Sequence, residues 1–200
     1  SNTNLGVNAG IILTTGSISN AIGPNSDTMT TRENFEGDDN DLNQIHGIIV
    51  QDAAILEFDF FSFADRVTFE YVFASEEYPE FVGSIYNDTF GFFITGPGYI
   101  GNENIAFLEN TTTPVSINNV NHLANSQYYI DNANGMTLEY DGFTKVLTAE
   151  AIVVPCATYH LKLAIADLGD MRYDSGIFLK AKSFESGSSI SIEDSKDAIE

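Results

Sequence analysis

Alternation of apolar and polar residues dominates the chain. Four runs, residues 67–73, 147–153, 159–165 and 177–181, place apolar side chains at every second position. Successive side chains of a β-strand point to opposite faces, so each run has one core-facing side. Turn sequences such as "GPN", "TGPG" and "NANG" separate the runs. This pattern predicts an all-β, two-sheet antiparallel β-sandwich, jelly-roll-like, with long acidic loops.

Helical periodicity is scarce, and we expect one or two short helices, around residues 28–35 and 123–130. In "LEFDFFSF" the apolar phase shifts between Phe60 and Phe61, which predicts a bulge or bend there. Residues 1–185 are predicted to form a single domain. The polar stretch 186–200 is predicted to be an acidic linker or an edge strand.

The charge balance is strongly acidic, with 29 acidic residues, 8 basic residues and a net charge of −21. Repulsion on this scale opposes compaction unless something offsets it, and bound divalent cations would do so. An acidic surface that only aids solubility is the alternative. The sequence offers no basic patch for nucleic acid, and no apolar run long enough for direct membrane insertion.

Three acidic clusters lie where strands are predicted to end: "EGDDNDLN", "SEEYPEFVGSIYND" and "ADLGDMRYDSG". Calcium takes six to eight oxygen ligands, commonly from irregular backbone, and these clusters supply such donors without the EF-hand spacing. The first cluster could instead be a solvated loop, and Arg172 could replace a cation in the third. The predicted Ca²⁺ ligands are Glu76, Glu77, Asp88, Asp167, Asp170, Asp174, Asp38 and Asp41.

The two adjacent glutamates should point in opposite directions if the strand phase continues. Glu77 shares the phase of Tyr71 and Phe73 and is predicted to point inward. Glu76 would then face solvent or a backbone partner. An aromatic wall with polar tips is predicted beside the cation, and the candidate ligand-binding residues are Tyr78, Tyr86, Asn87 and Tyr173.

Catalytic motifs do not emerge from the sequence. His46, His122 and His160 lack zinc-ligand spacing, and no G-x-S-x-G elbow is present. A glycosidase needs two carboxylates facing a sugar cleft, and the sequence cannot show that geometry. We therefore expect no enzymatic activity, with a glycoside-active enzyme as the least favoured alternative.

The order of the segments resembles the choice-of-anchor L domain of bacterial surface proteins. The matching segments run from "GIILTTG" through "VTFEYVFASEEYPEFVGSIYNDTFGFFITGPG" to "TYHLKLAIADLGDMRYDSGIFLKAKSF". The resemblance implies a secreted, cell-surface setting in a multidomain protein. It implies no catalytic activity.

Together these features predict a calcium-dependent ligand-binding module of an adhesin, present as a monomeric unit in a longer chain. Its expected partner is an extracellular peptide or glycan on a host or neighbouring cell. The alternative is a structural spacer that calcium only stiffens.

Overall fold

A computed structural model describes residues 3–186 of the chain and shows two antiparallel β-sheets. This confirms the predicted all-β sandwich. From residue 187 onward, the predicted linker or edge strand lies outside the residues that the structure describes. The strands are β1 (Gly10–Thr14), β2 (Gln51–Ser62), β3 (Arg66–Ser75), β4 (Thr89–Thr95), β5 (Glu103–Asn104), β6 (Tyr129–Asp131), β7 (Gly142–Thr144), β8 (Leu147–Ile152), β9 (Ala157–Asp167), β10 (Ser175–Lys180) and β11 (Glu185–Ser186).

Strand β3 organises the larger sheet, whose order is β1-β10-β3-β7-β6. Its alternation is regular, with Tyr71 and Phe73 buried against the other sheet. One edge of β3 pairs with β10 and β11, and the other pairs with β7 and β8. Because β3 is central, its last residue, Ser75, is fixed by neighbours on both sides.

The smaller sheet has the order β2-β9-β4-β5. Strand β9 is its centre, and the predicted inward residues Leu161, Leu163 and Ile165 are buried in the core between the sheets. Aromatic rings fill much of this core: the ring centroids of Phe92 and Tyr71 lie 5.0 Å apart, and those of Phe73 and Phe90 lie 5.5 Å apart. Because the alternation set these faces, the core follows directly from the sequence pattern.

A second apolar layer covers the outer face of the larger sheet. Val72 and Ala74 point away from the inter-sheet core but are fully buried against Leu138 and Tyr140. The N-terminal residue Leu5 packs into the same layer. Both faces of β3 are therefore buried near its C-terminal end, which a two-sheet prediction does not anticipate.

One predicted helix position was wrong and the other was only partly right. Residues 28–35 form no helix, and residues 123–130 contain a 3-10 turn at Ser126–Tyr128 followed by β6. The α-helix of the described chain, α1 (Asn40–His46), begins within the acidic sequence "EGDDNDLN" and extends beyond it. Asp39 caps it by accepting from the amides of Asp41 and Leu42, and Gly47 ends it in the left-handed region.

The predicted bulge at Phe60–Phe61 was also wrong. Strand β2 stays in register with β9 through that point, and Phe61 and Phe63 are exposed. The shift of the apolar pattern in the sequence therefore arises from two exposed phenylalanine side chains, and the strand itself continues without interruption. The irregularity of β2 lies between Gln51 and Ala54, where Asp52 has φ of 48°.

Core packing should dominate the stability of the sandwich. We expect Phe92→Ala to lower the free energy of unfolding by about 3–5 kcal/mol, because Phe92 is 0% exposed and contacts the rings of Tyr71 and Phe90. Ile100→Ala, at a side chain that is 94% exposed, is the control and should stay within about 0.5 kcal/mol of wild type. Urea denaturation measures both, and equal losses would contradict this assignment of the core.

Candidate functional site

Besides Asp52, whose partners are described below, seven carboxylates are buried at one end of the sandwich, where β3 and β9 end and β4, β7 and β10 begin. Each is at most 5% exposed. A buried carboxylate requires hydrogen-bond donors, a cation or a proton, because loss of hydration is costly. The seven are Glu76, Glu77, Asp88, Glu139, Asp141, Asp167 and Asp174.

Three of them, which we name the inner carboxylates, lie where the ends of the two sheets meet: Glu77, Asp88 and Asp167. The amide of Asp88 donates to Glu77 Oε2 at 3.3 Å. The two carboxylate oxygens of Asp88 accept from the amide of Leu168 at 3.0 Å and from Ser175 Oγ at 2.7 Å. Asp167 continues the inward phase of β9 and is 1% exposed. The inner carboxylates thus join the larger sheet to the smaller one.

Three others, the outer carboxylates, lie on the opposite side of β3: Glu76, Glu139 and Asp141. Glu76 continues the phase of Val72 and Ala74 into the second apolar layer. Glu139 and Asp141 alternate with Leu138 and Tyr140 just before β7. The strand phase therefore separates the two adjacent glutamates as predicted, but Glu76 is buried rather than exposed. The prediction of a solvent-facing or backbone-paired Glu76 was wrong because the second layer covers that face.

Asp174 lies between the two groups, since its charge acts on both Glu76 and Asp167. Both of its oxygens accept from the amide of Arg32 at 3.0 Å. The neighbouring chain must come very close, because a Cβ at Gly16 would lie 1.6 Å from Asp174 Oδ2. A glycine at position 16 is therefore a steric requirement of this carboxylate.

Residues 25–36, which we name the strap, cross this end of the sandwich without regular secondary structure. The strap binds carboxylates mainly through its backbone amides. Glu139 accepts from the amides of Ser26 and Asp27 and from the Thr30 hydroxyl. Asp52 accepts from the amides of Asn34 and Glu36. The strap consequently depends on these acidic side chains for its position.

Other oxygens in the cluster have no hydrogen-bond partner. These are both oxygens of Glu76, both oxygens of Asp167 and Oδ2 of Asp141. The Thr30 amide and the Thr15 hydroxyl lie near Glu76 and Asp167 respectively, but without the geometry of a hydrogen bond. Unpartnered buried oxygens are uncommon in folded proteins, so each requires an explanation.

Basic side chains do not provide partners for these buried oxygens. The ion pairs among residues 3–186 join Arg66 to Glu150, Lys162 to Asp39 and Asp41, Arg172 to Glu33, Lys180 to Glu70 and His160 to Asp59. None of these pairs includes any of the seven buried carboxylates. The alternative that Arg172 neutralises Asp167 is therefore not realised, because Arg172 pairs with the surface residue Glu33.

Burial raises the pKa of Glu76, Glu77, Asp88, Asp141, Asp167 and Asp174. Burial and the charge of Asp141 raise the pKa of Glu76 to about 10, and burial and the charge of Asp88 raise the pKa of Glu77 to about 10. Burial raises the pKa of Asp88 to about 7, and burial together with Asp88 raises the pKa of Asp167 well above its usual value. In this arrangement the carboxylates favour a proton or a cation over the free anion.

The carboxylates are near neighbours but are not gathered around one point. In the described part of the chain, no group of three or more His, Cys, Asp or Glu side chains has the arrangement of a formed metal site.

The predicted metal ligands are distributed over three places. Glu77, Asp88, Asp167 and Asp174 come together, and Asp170 is a less buried neighbour whose charge acts on Glu77. Glu76 joins the outer carboxylates. Asp41 already has a cation partner, with its Oδ2 2.5 Å from Lys162 Nζ, and Asp38 accepts from Asn43 on the surface.

The predicted aromatic wall is only partly present. Tyr78 was wrongly placed in it, because Tyr78 is fully buried and its hydroxyl donates to the Val120 carbonyl at 2.5 Å. Tyr86 and Tyr173 are partly exposed, and both rings contact Phe81, with centroids 5.3 and 4.6 Å away. Asn87 accepts from the amide of Asn118 and so holds a loop. We name Phe81, Tyr86 and Tyr173 the aromatic rim.

Sequence reasoning missed Glu139 and Asp141. In "LEYD" they alternate with Leu138 and Tyr140, which is typical of a strand with one solvent-facing side. The strap and the second apolar layer cover that side, and neither can be inferred from the local pattern.

The choice-of-anchor L domain model matches residues 1–185. The chain belongs to this family. The choice-of-anchor L domain described here is therefore a cell-surface module of bacterial proteins, a class that is not typically enzymatic. No curated protein and no solved structure matches the chain. Within the described residues, the helices are too short or too polar to cross a membrane.

The buried cluster predicts an unusual pH dependence for this choice-of-anchor L domain. In chelator, we expect the free energy of unfolding to fall between about pH 5 and about pH 8. The folded-state pKa values, about 6 for Asp141 and Asp174, about 7 for Asp88 and about 10 for Glu76 and Glu77, exceed the unfolded values near 4. The folded state therefore holds more protons in this range, and stability is lost as pH rises.

Glu76→Gln should flatten this profile, because it removes one of the groups that stays protonated in the folded state. The slope should decrease by up to about 1.4 kcal/mol per pH unit. Urea denaturation at several pH values in EGTA measures it. A wild-type profile that rises with pH would show that the carboxylates are ionised and already compensated.

Proposed function

We propose that this domain is a calcium-dependent extracellular ligand-binding module of an adhesin, and that it binds a peptide or a glycan beside a calcium site formed by the inner carboxylates. The observation that carries the proposal is Asp167: a carboxylate 1% exposed, between two other acidic side chains, with no partner at either oxygen. A divalent cation supplies the missing partner.

The chemistry of the donors favours calcium. The cluster offers oxygen atoms from carboxylates, hydroxyls and irregular backbone, which are the ligands that calcium prefers. Among the described residues the cluster includes no buried histidine or cysteine ligand, whereas softer metals favour nitrogen or sulfur. A net charge of −21 also makes cation binding favourable.

Binding would require a small adjustment of the side chains. The inner carboxylates already lie close together, with Asp88 and Asp167 side by side, and their negative charges repel one another when both are ionised. A cation reverses the sign of that interaction, so rotation of Asp167 and Glu77 toward a shared ion becomes favourable. Protons held by the cluster are released in the same step.

The aromatic rim provides the ligand surface. Phe81, Tyr86 and Tyr173 form partly exposed ring contacts, and Gly169 brings the backbone against Tyr86, so the rim stands beside Asp170. Asp170 is more exposed than the inner carboxylates. A ligand oxygen could enter the calcium coordination from this side while the rings contact a sugar face or an apolar side chain.

A structural spacer is the second candidate, and one observation favours it. The inner carboxylates are at most 1% exposed, so an ion held by them alone would be enclosed by protein. Such an ion would join the ends of the two sheets without contacting a ligand. Glycoside hydrolysis is not part of the proposal, because buried carboxylates beneath the strap do not face an open sugar cleft.

Calcium should raise the thermal stability of the domain. A hundredfold excess over Kd adds roughly 2.7 kcal/mol, which corresponds to a midpoint shift of about 5–10 °C for a chain of this size. Asp167→Asn should lose the part of this shift that the inner carboxylates contribute, whereas the control Asp65→Asn, at an exposed turn on the opposite end, should keep the whole shift. Thermal melts in calcium and in EGTA make the comparison. Equal midpoints for the wild-type protein in both buffers would remove calcium from the proposal.

Ligand binding should require both calcium and the rim. We expect binding on peptide and glycan arrays to be lost in EGTA and to weaken at least about tenfold in Tyr86→Ala, since partly buried aromatic residues commonly anchor ligands. Tyr99→Ala is the matched control, because Tyr99 is a partly exposed tyrosine in the β4–β5 loop at the other end of the sandwich. Calcium stabilisation without any array binding would favour the spacer.

A further inference from the structure

We infer that the outer carboxylates Glu76, Glu139 and Asp141 form a second calcium site, separate from the inner one. Sequence reasoning included Glu76 among the calcium ligands but directed it away from Glu77, and it assigned no role to Glu139 or Asp141. The structure places Glu76 with these two residues on the other side of β3.

The second site rests on oxygens that hydrogen bonds leave unsatisfied. Glu76 is 1% exposed and neither of its oxygens has a partner. Asp141 is 4% exposed, and only its Oδ1 is satisfied, by Asn25 Nδ2 at 2.7 Å. Asp141 and Glu139 are the charges that act most strongly on Glu76. Three buried oxygens from two neighbouring carboxylates thus lack a partner in one small region.

The strap completes the surroundings of this region. Glu139 is held by the amides of Ser26 and Asp27, and Asn25 holds Asp141. Three consecutive strap residues therefore fix two of the carboxylates that would be ligands, whereas no hydrogen bond holds either oxygen of Glu76. Irregular backbone with polar side chains is also the usual source of additional oxygen ligands for calcium.

The inner and outer sites are separated by the larger sheet. Glu77 points between the sheets and Glu76 points into the second apolar layer, so one ion cannot serve both. Asp174 is close to both groups, but its two oxygens already accept from Arg32. The domain therefore has room for two cations with different ligands, and the second does not depend on the first.

Calcium stoichiometry tests this inference directly. In calorimetric titrations of the metal-free domain, we expect two ions per wild-type chain. Asp141→Asn and Glu76→Gln should each bind one ion, with the remaining affinity within about threefold of wild type. Asp167→Asn should lose the other ion, so failure of the inner site is distinguishable from failure of the outer one. Asp131→Asn is the matched control, since Asp131 is an exposed neighbour of Asp141 and should still bind two ions.

The main competing explanation is that Glu76 and Asp141 share a proton. In that case Asp141→Asn and Glu76→Gln would leave the number of bound ions unchanged, and the inference would be overturned. A single ion per wild-type chain that Asp167→Asn removes would overturn it equally.

A measurement on the wild-type protein guards against variants that do not fold. Terbium replaces calcium at oxygen sites and scatters X-rays anomalously. Crystals soaked in terbium should show an anomalous peak between Glu76 and Asp141. A peak only beside Asp167, or none, would refute the second site.

Discussion

Repulsion among buried carboxylates is the constraint on which this end of the molecule depends. Two antiparallel sheets bring the ends of β3 and β9 together with the starts of β4, β7 and β10. The apolar core of the sandwich requires that meeting, and it also brings several acidic side chains out of water. Phe73, which packs against Phe90 in this core, lies in β3 four residues before Glu77, so core packing and a buried carboxylate are close neighbours along the chain.

Part of the negative charge is satisfied within the protein and part is not. Asp39 and Asp41 share Lys162, and the strap amides serve Glu139, Asp174 and Asp52. Asp167 and Glu76 receive nothing comparable. This contrast divides the acidic residues into those that stabilise the fold through hydrogen bonds or ion pairs and those whose oxygens are available to a cation. The contacts of each residue make the distinction, and its position in the sequence does not.

The fold could be predicted from the sequence to a large extent, because alternation determines the faces of β3, β8, β9 and β10 directly. The inward direction of Asp167 and Glu77 followed from the same phase. Other features depended on long-range contacts that a local pattern does not contain. The cover over Glu76 comes from residues 138–140, more than sixty positions away in the chain. The helix α1 was hidden because its Asp39 cap and Asp41 were interpreted as a loop or calcium ligands.

Burial beneath the strap divides the electrostatics of the domain into two regimes. Charges on the surface, such as Glu150 and Asp59, lie in solution, where mobile ions screen them over a Debye length of about 10 Å at 0.1 M salt. The carboxylates under the strap are out of contact with that ionic atmosphere. Sodium chloride can therefore weaken the repulsion that the surface charges exert on one another, but it does not screen the carboxylates beneath the strap from one another.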